Sequence, residues 1–545
     1  MKHYLKKLLP VLLAAALMSG CTEIPVRTSE QTSEDAATSE SEDTESAVTE
    51  YDEQDVPKYD IEKEDVLIKL NAEGGAFETA VRTDGEYDGS GYIVLDKEQT
   101  LMHIATIEAP QHYRLGISAY SYGGAAISVS AVEGNIGVLY IPPTDTASFE
   151  LYCIDNIYLP EAPTLLTFTV ISGSAAIDYI QLEDSSPVSS DHYRTPVSVV
   201  GKNTGIHTIS TMKYLTDMYG VRILTAQNVT PGTNAEIDAV YAETGRYPAI
   251  RCGDLMYSSQ YANKDHSETA AKELELALEW GKDGGIISMG WHWYAPDEDS
   301  PAYYAHETAF DLSDAPNEES IAEMDIEQIE GLYNSGRVSE SCYLLVQDID
   351  HMAEVMKQFR NELQTVIFQP IPDGDSDLYW WGGNADAYKW LWQLMFTRMN
   401  RYHGLNNLIW VWNGSDAAYY PGDEYCDIIG QGLFMNTAAS YAGRFAAMAQ
   451  LSPTAMKPVA LTSCDKMPDT GYCKRDNAMW MWISPASGEY TIHSDGSYSE
   501  DYNSWQRLND IYNSRSCVTR DELPDLSSYA LEISSETNEN STEDH

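Results

Sequence analysis

Three aspartates, Asp373, Asp375 and Asp377, occupy alternate positions in a stretch that runs on into Tyr379-Trp380-Trp381, and Asp465 stands two residues after Ser463. On an extended segment residues two apart point to the same side. Either stretch could therefore gather carboxyl groups for acid/base or nucleophilic work. Around them the chain is rich in flat side chains with a polar handle, 37 Tyr and 12 Trp against 9 Phe. Such rings suit a sugar-stacking surface as well as a core. Trp291-His292-Trp293 and Trp410-Val411-Trp412 are two examples, and alternation puts Trp410 and Trp412 on one face, where wall packing or stacking would satisfy them equally. The His306-Glu307-Thr308 stretch lacks the second histidine of a zinc helix, so no metal or other cofactor is expected for this chemistry.

Two patterns of elements must position these groups. Between Val66 and Leu182, short alternating runs such as Tyr113–Tyr120 and Leu165–Val170 are separated by Gly, Pro, Asp and Ser clusters, which predicts a β-sandwich (jelly roll) over residues 56–186. From about 205, helical stretches such as Ala270–Trp280 alternate with apolar runs such as Gly285–Met289, Thr365–Phe368, Asn407–Trp412 and Val459–Leu461. That alternation predicts a (β/α)8 TIM barrel over 192–525, with its chemistry on the loops at the strand C-terminal ends.

The chain starts with Lys2, Lys6 and Lys7, an apolar run from Leu8 to Met18, then Ser19-Gly20-Cys21. This is the pattern of a lipoprotein signal peptide (1–21), and it predicts a membrane anchor through lipid on Cys21 at the bacterial cell surface. Residues 22–55 and 526–545 are acidic, Ser/Thr-rich tracts with little to bury, expected to stay unfolded. The formal net charge of −52 excludes electrostatic binding to nucleic acid and favours a neutral partner such as a polysaccharide. Of eight cysteines, seven remain beyond Cys21 at irregular spacing, so neither a metal-binding CxxC pattern nor an even disulfide framework is visible.

Several segments, in order, resemble glycoside hydrolase family 26, the β-mannanase family. They are ILTAQN, TGRYPAIRCGDLMYSS, WGKDGGIISMGWHWYAP, VIFQPIPDGDSDLYWWGG, LIWVWNGSDAAYYPGDEYCDIIGQGLF and KPVALTSCD, together spanning about 200–490. The resemblance implies an acid/base carboxyl after barrel strand 4 and a nucleophilic carboxylate after strand 7. At those places this sequence departs from the family pattern. The family's Arg-Pro-x-His-Glu becomes Gln369-Pro370-Ile371-Pro372-Asp373, its nucleophile position holds Ser463, and its strand 6 Asp and Tyr positions hold Gly432 and Phe434.

Two readings follow. In the first, hydrolysis is lost and a glycan cleft survives, formed by Trp291, His292, Trp293, Tyr379, Trp380, Trp381 and Trp412, with Asp373 and Ser463 as degenerate catalytic positions. In the second, carboxylates have migrated, Asp465 standing in for the nucleophile beside Asp373. The first is the expectation carried forward, with a β-mannan-type plant polysaccharide as partner. The sandwich region resembles carbohydrate-binding modules of families 35 and 6 through Asn71–Gly75, Gly91-Tyr92-Ile93 and Ala176–Glu183. That resemblance implies a structural calcium shared by Glu73 and Asp178, oxygen ligands suited to a hard cation.

Overall fold

The computed structural model describes residues 66–262, 264–452 and 456–529. The expected leader, Cys21, the 22–55 tract and the chain beyond Tyr529 lie outside these residues. The described chain divides into two compact units, 66–132 with 138–185, and 133–137 with 186–529.

The first unit is antiparallel and all β. Its strands are β1 (Val66–Asn71), β2 (Ile93–Asp96), β3 (Thr100–Thr106), β4 (Gln111–Tyr120), β5 (Ala125–Ala131), β6 (Gly134–Ile141, of which 138–141 fall in this unit), β7 (Glu150–Leu159) and β8 (Pro163–Ser185). The 23-residue β8 organises them, pairing along its length with β1, β2, β3, β4 and β5. Along its first half Thr164, Leu166, Phe168 and Val170 are buried while Pro163, Leu165 and Ile171 are exposed. This period of two marks a strand with one face in a core.

The second unit is a closed parallel barrel. Its strands are β9 (Ile223–Asn228), β10 (Ile250–Asp254), β11 (Ile286–Trp291), β12 (Val366–Pro370), β13 (Leu408–Asn413), β14 (Ile428–Leu433), β15 (Val459–Cys464) and β16 (Trp482–Pro485). Each pairs with the next, and β9 pairs with both β16 and β10, which closes the ring. A two-residue β17 (Cys517–Val518) adds outside β9. Helices covering the strands leave the ring buried on both sides, which is why β12 and β13 read as nearly unbroken apolar runs. The helix Glu340–Asn361, for instance, begins where the Ser339 side chain accepts the Cys342 N–H, and its apolar stripe, including Leu345, Ile349, Met352 and Met356, is fully buried.

One boundary shifts here. The tail expected from 526 is anchored further on, since the Tyr529 hydroxyl donates to Asp217 at 2.8 Å and its ring meets Tyr214 edge-on at 5.3 Å. All seven described cysteines carry free thiols, six of them buried. No described helix is long and apolar enough to cross a membrane.

Candidate active site

A cavity of about 400 Å³ opens at the C-terminal end of the barrel, lined by residues of seven barrel strands and of the segments that follow the strands. Asn228 comes from β9, Asp254 from β10, Gly290 and His292 from the end of β11, Gln369, Pro372 and Asp373 from β12, Asn413 from β13, Gly432 from β14, Thr462 and Ser463 from β15, and Ser487 follows β16. Tyr303, Tyr304 and Tyr379 wall it from loops.

The charges cluster on the β10–β12 side. His292 Nδ1 lies 2.6 Å from Asp254 Oδ2, and the other carboxylate oxygen accepts the backbone N–H groups of Met256 (2.7 Å) and His292 (3.2 Å). Burial disfavours charge on His292, but the neighbouring Asp254 and Asp373 prevail and raise its pKa. Asp373 still meets the open cavity while protein crowds it on every other side. Burial, aided by repulsion from Asp375 and opposed by His292, pushes its pKa up to about 7. It can therefore hold a proton near neutrality, the state a general acid needs.

The backbone that carries Asp373 is held in an unusual conformation. Ile371 and Asp373 have positive φ, 38° and 50°, a region that side-chain-bearing residues enter only when their surroundings enforce it. The enforcing groups are buried aromatics. The Trp381 indole donates to the Pro372 carbonyl at 2.8 Å, the Tyr388 hydroxyl donates to the Ile371 carbonyl at 2.9 Å, and the Asp373 N–H donates to the Asn413 carbonyl at 3.0 Å. Next in sequence, Gly374 lies so close to Tyr388 that a Cβ would sit 2.1 Å from the ring. Because the segment turns rather than extends, Asp375 does not join Asp373 in the cavity. Its Oδ2 accepts from Ser415 N, Ser415 Oγ and Asp416 N at 2.7–3.0 Å, and pins the loop after β13.

The opposite side, β13 to β16, is neutral. Thr462 Oγ1 donates to Asn413 Oδ1 (2.6 Å), Asn413 Nδ2 to Gln369 Oε1 (3.0 Å), and Gln369 Nε2 to Ser288 Oγ (2.6 Å), an uncharged chain along the cavity floor. Ser463 lines the cavity beside it, yet its hydroxyl has no hydrogen-bond partner among the described residues. Register shifts in β14 between Gln431 and Gly432, and in β15 between Leu461 and Cys464, fall at this edge. Irregularities of this kind re-aim side chains at sheet ends. Asp465 does not line the cavity; its carboxylate is buried and accepts the N–H groups of Asn436 (2.8 Å) and Lys466 (2.6 Å).

The chain matches the sequence model of glycosyl hydrolase family 26 over residues 200–522, more than half its length. It belongs to glycosyl hydrolase family 26. Among curated relatives, it is 26% identical to a mannan endo-1,4-β-mannosidase of Thermothelomyces thermophilus over 459 residues, covering 82% of this chain and 88% of that one. It is 25% identical to mannan endo-1,4-β-mannosidase B of Piromyces sp over 460 residues, covering 82% of this chain and 75% of that one. Solved structures share the fold. A Podospora anserina GH26-CBM35 β-(1,4)-mannanase superposes with a TM-score of 0.55 at 24% identity, covering 85% of this chain and all of that one. A ruminal GH26 endo-β-1,4-mannanase gives 0.57 at 21% identity, with 84% and 98% covered.

Within this family 26 barrel the expected site residues separate into two groups. Asp373, Ser463, His292 and Tyr379 line one cavity. The tryptophans do not. Trp291, Trp293, Trp381, Trp410 and Trp412 are fully buried and Trp380 nearly so, which corrects the expectation that they floor the cleft. Strand parity is the reason: Gly290 and His292 face the cavity, so Trp291 and Trp293 face outward, and Asn413 faces in, so Trp410 and Trp412 face the helices. Trp293 accordingly donates to the buried Asp348 at 2.6 Å, and Trp410 packs edge-on against Phe396 at 5.1 Å. Trp381 supports the cavity from behind, stacked on Tyr379 at 4.6 Å with the planes 9° apart. Tyr303, Tyr304, Asn228 and Asn413 were not anticipated from sequence. Parity gave a signal for Asn413; the two tyrosines sit in the long connection after β11, where periodicity is silent.

Proposed function

We propose that this family 26 barrel binds a β-mannan-type polysaccharide in the cavity and does not hydrolyse it. The binding half of the reading is supported by the curated relatives named as mannan endo-1,4-β-mannosidases and by the tyrosines, His292 and protonatable Asp373 that line one wall. The observation that carries the loss of hydrolysis is the placement of carboxylates. Among the described lining residues only Asp254 and Asp373 carry them, both on the β10–β12 side, and Asp254 is occupied on both oxygens. Across the cavity, at the end of the seventh barrel strand, stands Ser463. Retaining cleavage needs two carboxyl groups about 5–5.5 Å apart, one of them free to attack. A serine hydroxyl without an adjacent base is not a substitute.

The family pattern sharpens this reading. Where its pattern has an arginine and a glutamate, this chain has Gln369 and Ser463, so a cation and an anion of the pattern are both replaced by neutral side chains. Losing one alone would leave an uncompensated buried charge, a costly state. Migration to Asp465 has no support from the geometry of its carboxylate, which is engaged by backbone N–H groups outside the cavity.

The antiparallel unit is proposed as a carbohydrate-binding module of sandwich type with a calcium ion near Glu73 and Asp178. Both carboxylates hold the same turn, Glu73 accepting from Ser90 N (2.7 Å) and Asp178 from Asp88 N (2.9 Å), and Glu73 Oε2 is enclosed without a hydrogen-bond partner among the described residues. Burial and the nearby Asp88 and Glu73 charges raise the pKa of Asp178, a crowding of oxygens that a hard cation would relieve. No described group of three or more His, Cys, Asp or Glu side chains is spaced to hold a metal, so the other ligands would be backbone oxygens and water. Thermal unfolding with added calcium against EGTA tests this; an unchanged midpoint removes the ion. Attachment to the cell surface through lipid on Cys21 completes the proposal, and a Cys21→Ala chain that still partitions with membranes would contradict it.

The barrel reading is tested by incubating the protein with a panel of mannans, glucomannans and xylans while measuring both affinity and new reducing ends. Retention on mannan without new reducing ends is expected; absence of binding to every mannan rejects the reading.

A further inference from the structure

Behind the charged wall of the barrel cavity lies a carboxylate that does not line it. Asp348, on the helix Glu340–Asn361, is fully buried, and it acts as an acceptor in three hydrogen bonds. Its Oδ2 takes the Ser259 hydroxyl and the Trp293 indole N–H, each at 2.6 Å, and its Oδ1 takes the Gln260 backbone N–H at 2.9 Å. Burying a carboxylate is costly unless its lone pairs are engaged, and donors from two separate segments engage them here. Burial pushes its pKa up against these bonds and against His351, the cation-forming neighbour on its own helix. A well-packed apolar side chain would fill such a place more cheaply. What the carboxylate holds is therefore the point of interest.

The two segments are those that carry the charged pair of the cavity. Ser259 and Gln260 follow the short turn Met256–Ser258 that comes after Asp254, and Trp293 is next to His292. Asp254 joins these segments from the cavity side by accepting the N–H groups of Met256 and His292, and Asp348 joins them again from behind. The tie extends further, because the Trp293 carbonyl accepts the Trp380 indole N–H at 2.6 Å and the Trp293 ring stacks on Trp291 at 4.2 Å with the planes 20° apart. With both sequence neighbours of His292 fixed, the separation of the two backbones sets the 2.6 Å contact between His292 Nδ1 and Asp254 Oδ2. The attraction in such a pair falls with distance. The other groups that face His292 are Asp373, which also raises its pKa, and the uncharged rings of Tyr303, Tyr379 and Trp381 at 5.7–6.5 Å. A displacement of either segment would thus register first in the titration of His292.

We propose that Asp348 is a positioning residue for the barrel cavity, its three hydrogen bonds holding the segment after Asp254 against the segment after His292 and so fixing the Asp254–His292 contact. The proposal rests on the reading of this cavity as a ligand site, but its first readout needs no ligand. Asp348→Asn keeps the shape and turns one acceptor into a donor that faces a donor. In the full chain, histidine ring signals are followed by NMR against pH, with His292→Gln assigning the resonance. The His292 midpoint is expected to fall in Asp348→Asn by at least about half a pH unit toward the ordinary 6.5. Trp293→Phe, which deletes one donor, should move it the same way by less, and mannohexaose affinity should weaken at least about threefold in Asp348→Asn. Asp427→Asn alters an equally buried carboxylate that accepts from Trp410 and Val200, and controls for a general loosening; its His292 midpoint should match the parent. An unchanged midpoint in Asp348→Asn, or in Trp293→Phe where the first variant does not fold, overturns the proposal, as does an equal shift in Asp427→Asn. A shifted midpoint in Asp348→Asn, when the parent itself binds no mannohexaose, supports the positioning role and rejects only the sugar reading, so the two failures are told apart.

Discussion

The two halves of the barrel cavity differ in kind. Along β10 to β12 the wall is ionisable and aromatic, with the Asp254–His292 pair, a protonatable Asp373 and three tyrosines, all braced by buried indoles and phenols. Along β13 to β16 it is small and uncharged, Asn413, Gly432, Thr462, Ser463 and Ser487. A double-displacement glycosidase needs both sides, one to protonate the leaving oxygen and the other to attack the anomeric carbon. The first half keeps the means to recognise a sugar and donate a proton, and the second presents only a passive surface. On the proposed reading, the scaffold of catalysis persists on the side that would hold the ligand, facing a wall without a reacting carboxylate.

The contrast should appear first as stability. Trp381→Ala removes a fully buried indole that backs Tyr379 and holds the Pro372 carbonyl, and should cost about 3–5 kcal/mol in urea unfolding. A loss under about 1 kcal/mol would mean the brace is dispensable. Affinity comes next. Tyr379→Ala on the charged wall should weaken mannohexaose binding at least tenfold, about 1.4 kcal/mol, by calorimetry, whereas Thr462→Val on the neutral wall should stay within threefold. Equal losses would erase the distinction between the halves.

The pH dependence of stability is a subtler test. Asp373 keeps its proton to about pH 7 when folded, against a normal aspartate value of 3.8. The folded state then binds a proton that the unfolded chain releases, so this contribution is complete below about pH 4 and is lost as pH rises through about 7. Asp427, buried and accepting from the Trp410 and Val200 N–H groups, is likewise pushed up to about 7 and acts in the same direction. Asp373→Asn should therefore remove part of the decline in stability between about pH 4 and pH 7, leaving the share from Asp427. An unchanged slope would show that Asp373 titrates normally. The smallest effect is expected at Ser463→Ala, within about 0.5 kcal/mol of the parent, because the hydroxyl removed has no partner to lose.

The barrel was legible in sequence because parallel strands buried on both sides leave short apolar runs between helices, and those runs mark the ends where Asp373, His292 and Ser463 stand. The role of the tryptophans was misread because local richness in indoles was weighed above parity; with His292 facing inward, Trp291 and Trp293 had to face out. Asp375 and Asp465 misled for a different reason. The two-residue rule assumes extended backbone, and a positive φ at Asp373 and a register shift in β15 break that assumption at the strand ends. Nothing local could place Tyr303 and Tyr304, which reach the cavity through a long irregular connection.

The central claim is that the cavity holds a mannan chain and leaves it intact. Mannohexaose incubated overnight with an equal concentration of the protein, then analysed by mass spectrometry, tests it most directly. The account predicts that the hexaose is recovered whole while calorimetry on the same sample shows it bound. Shorter manno-oligosaccharides that accumulate with the parent chain and vanish with Asp373→Ala would contradict it.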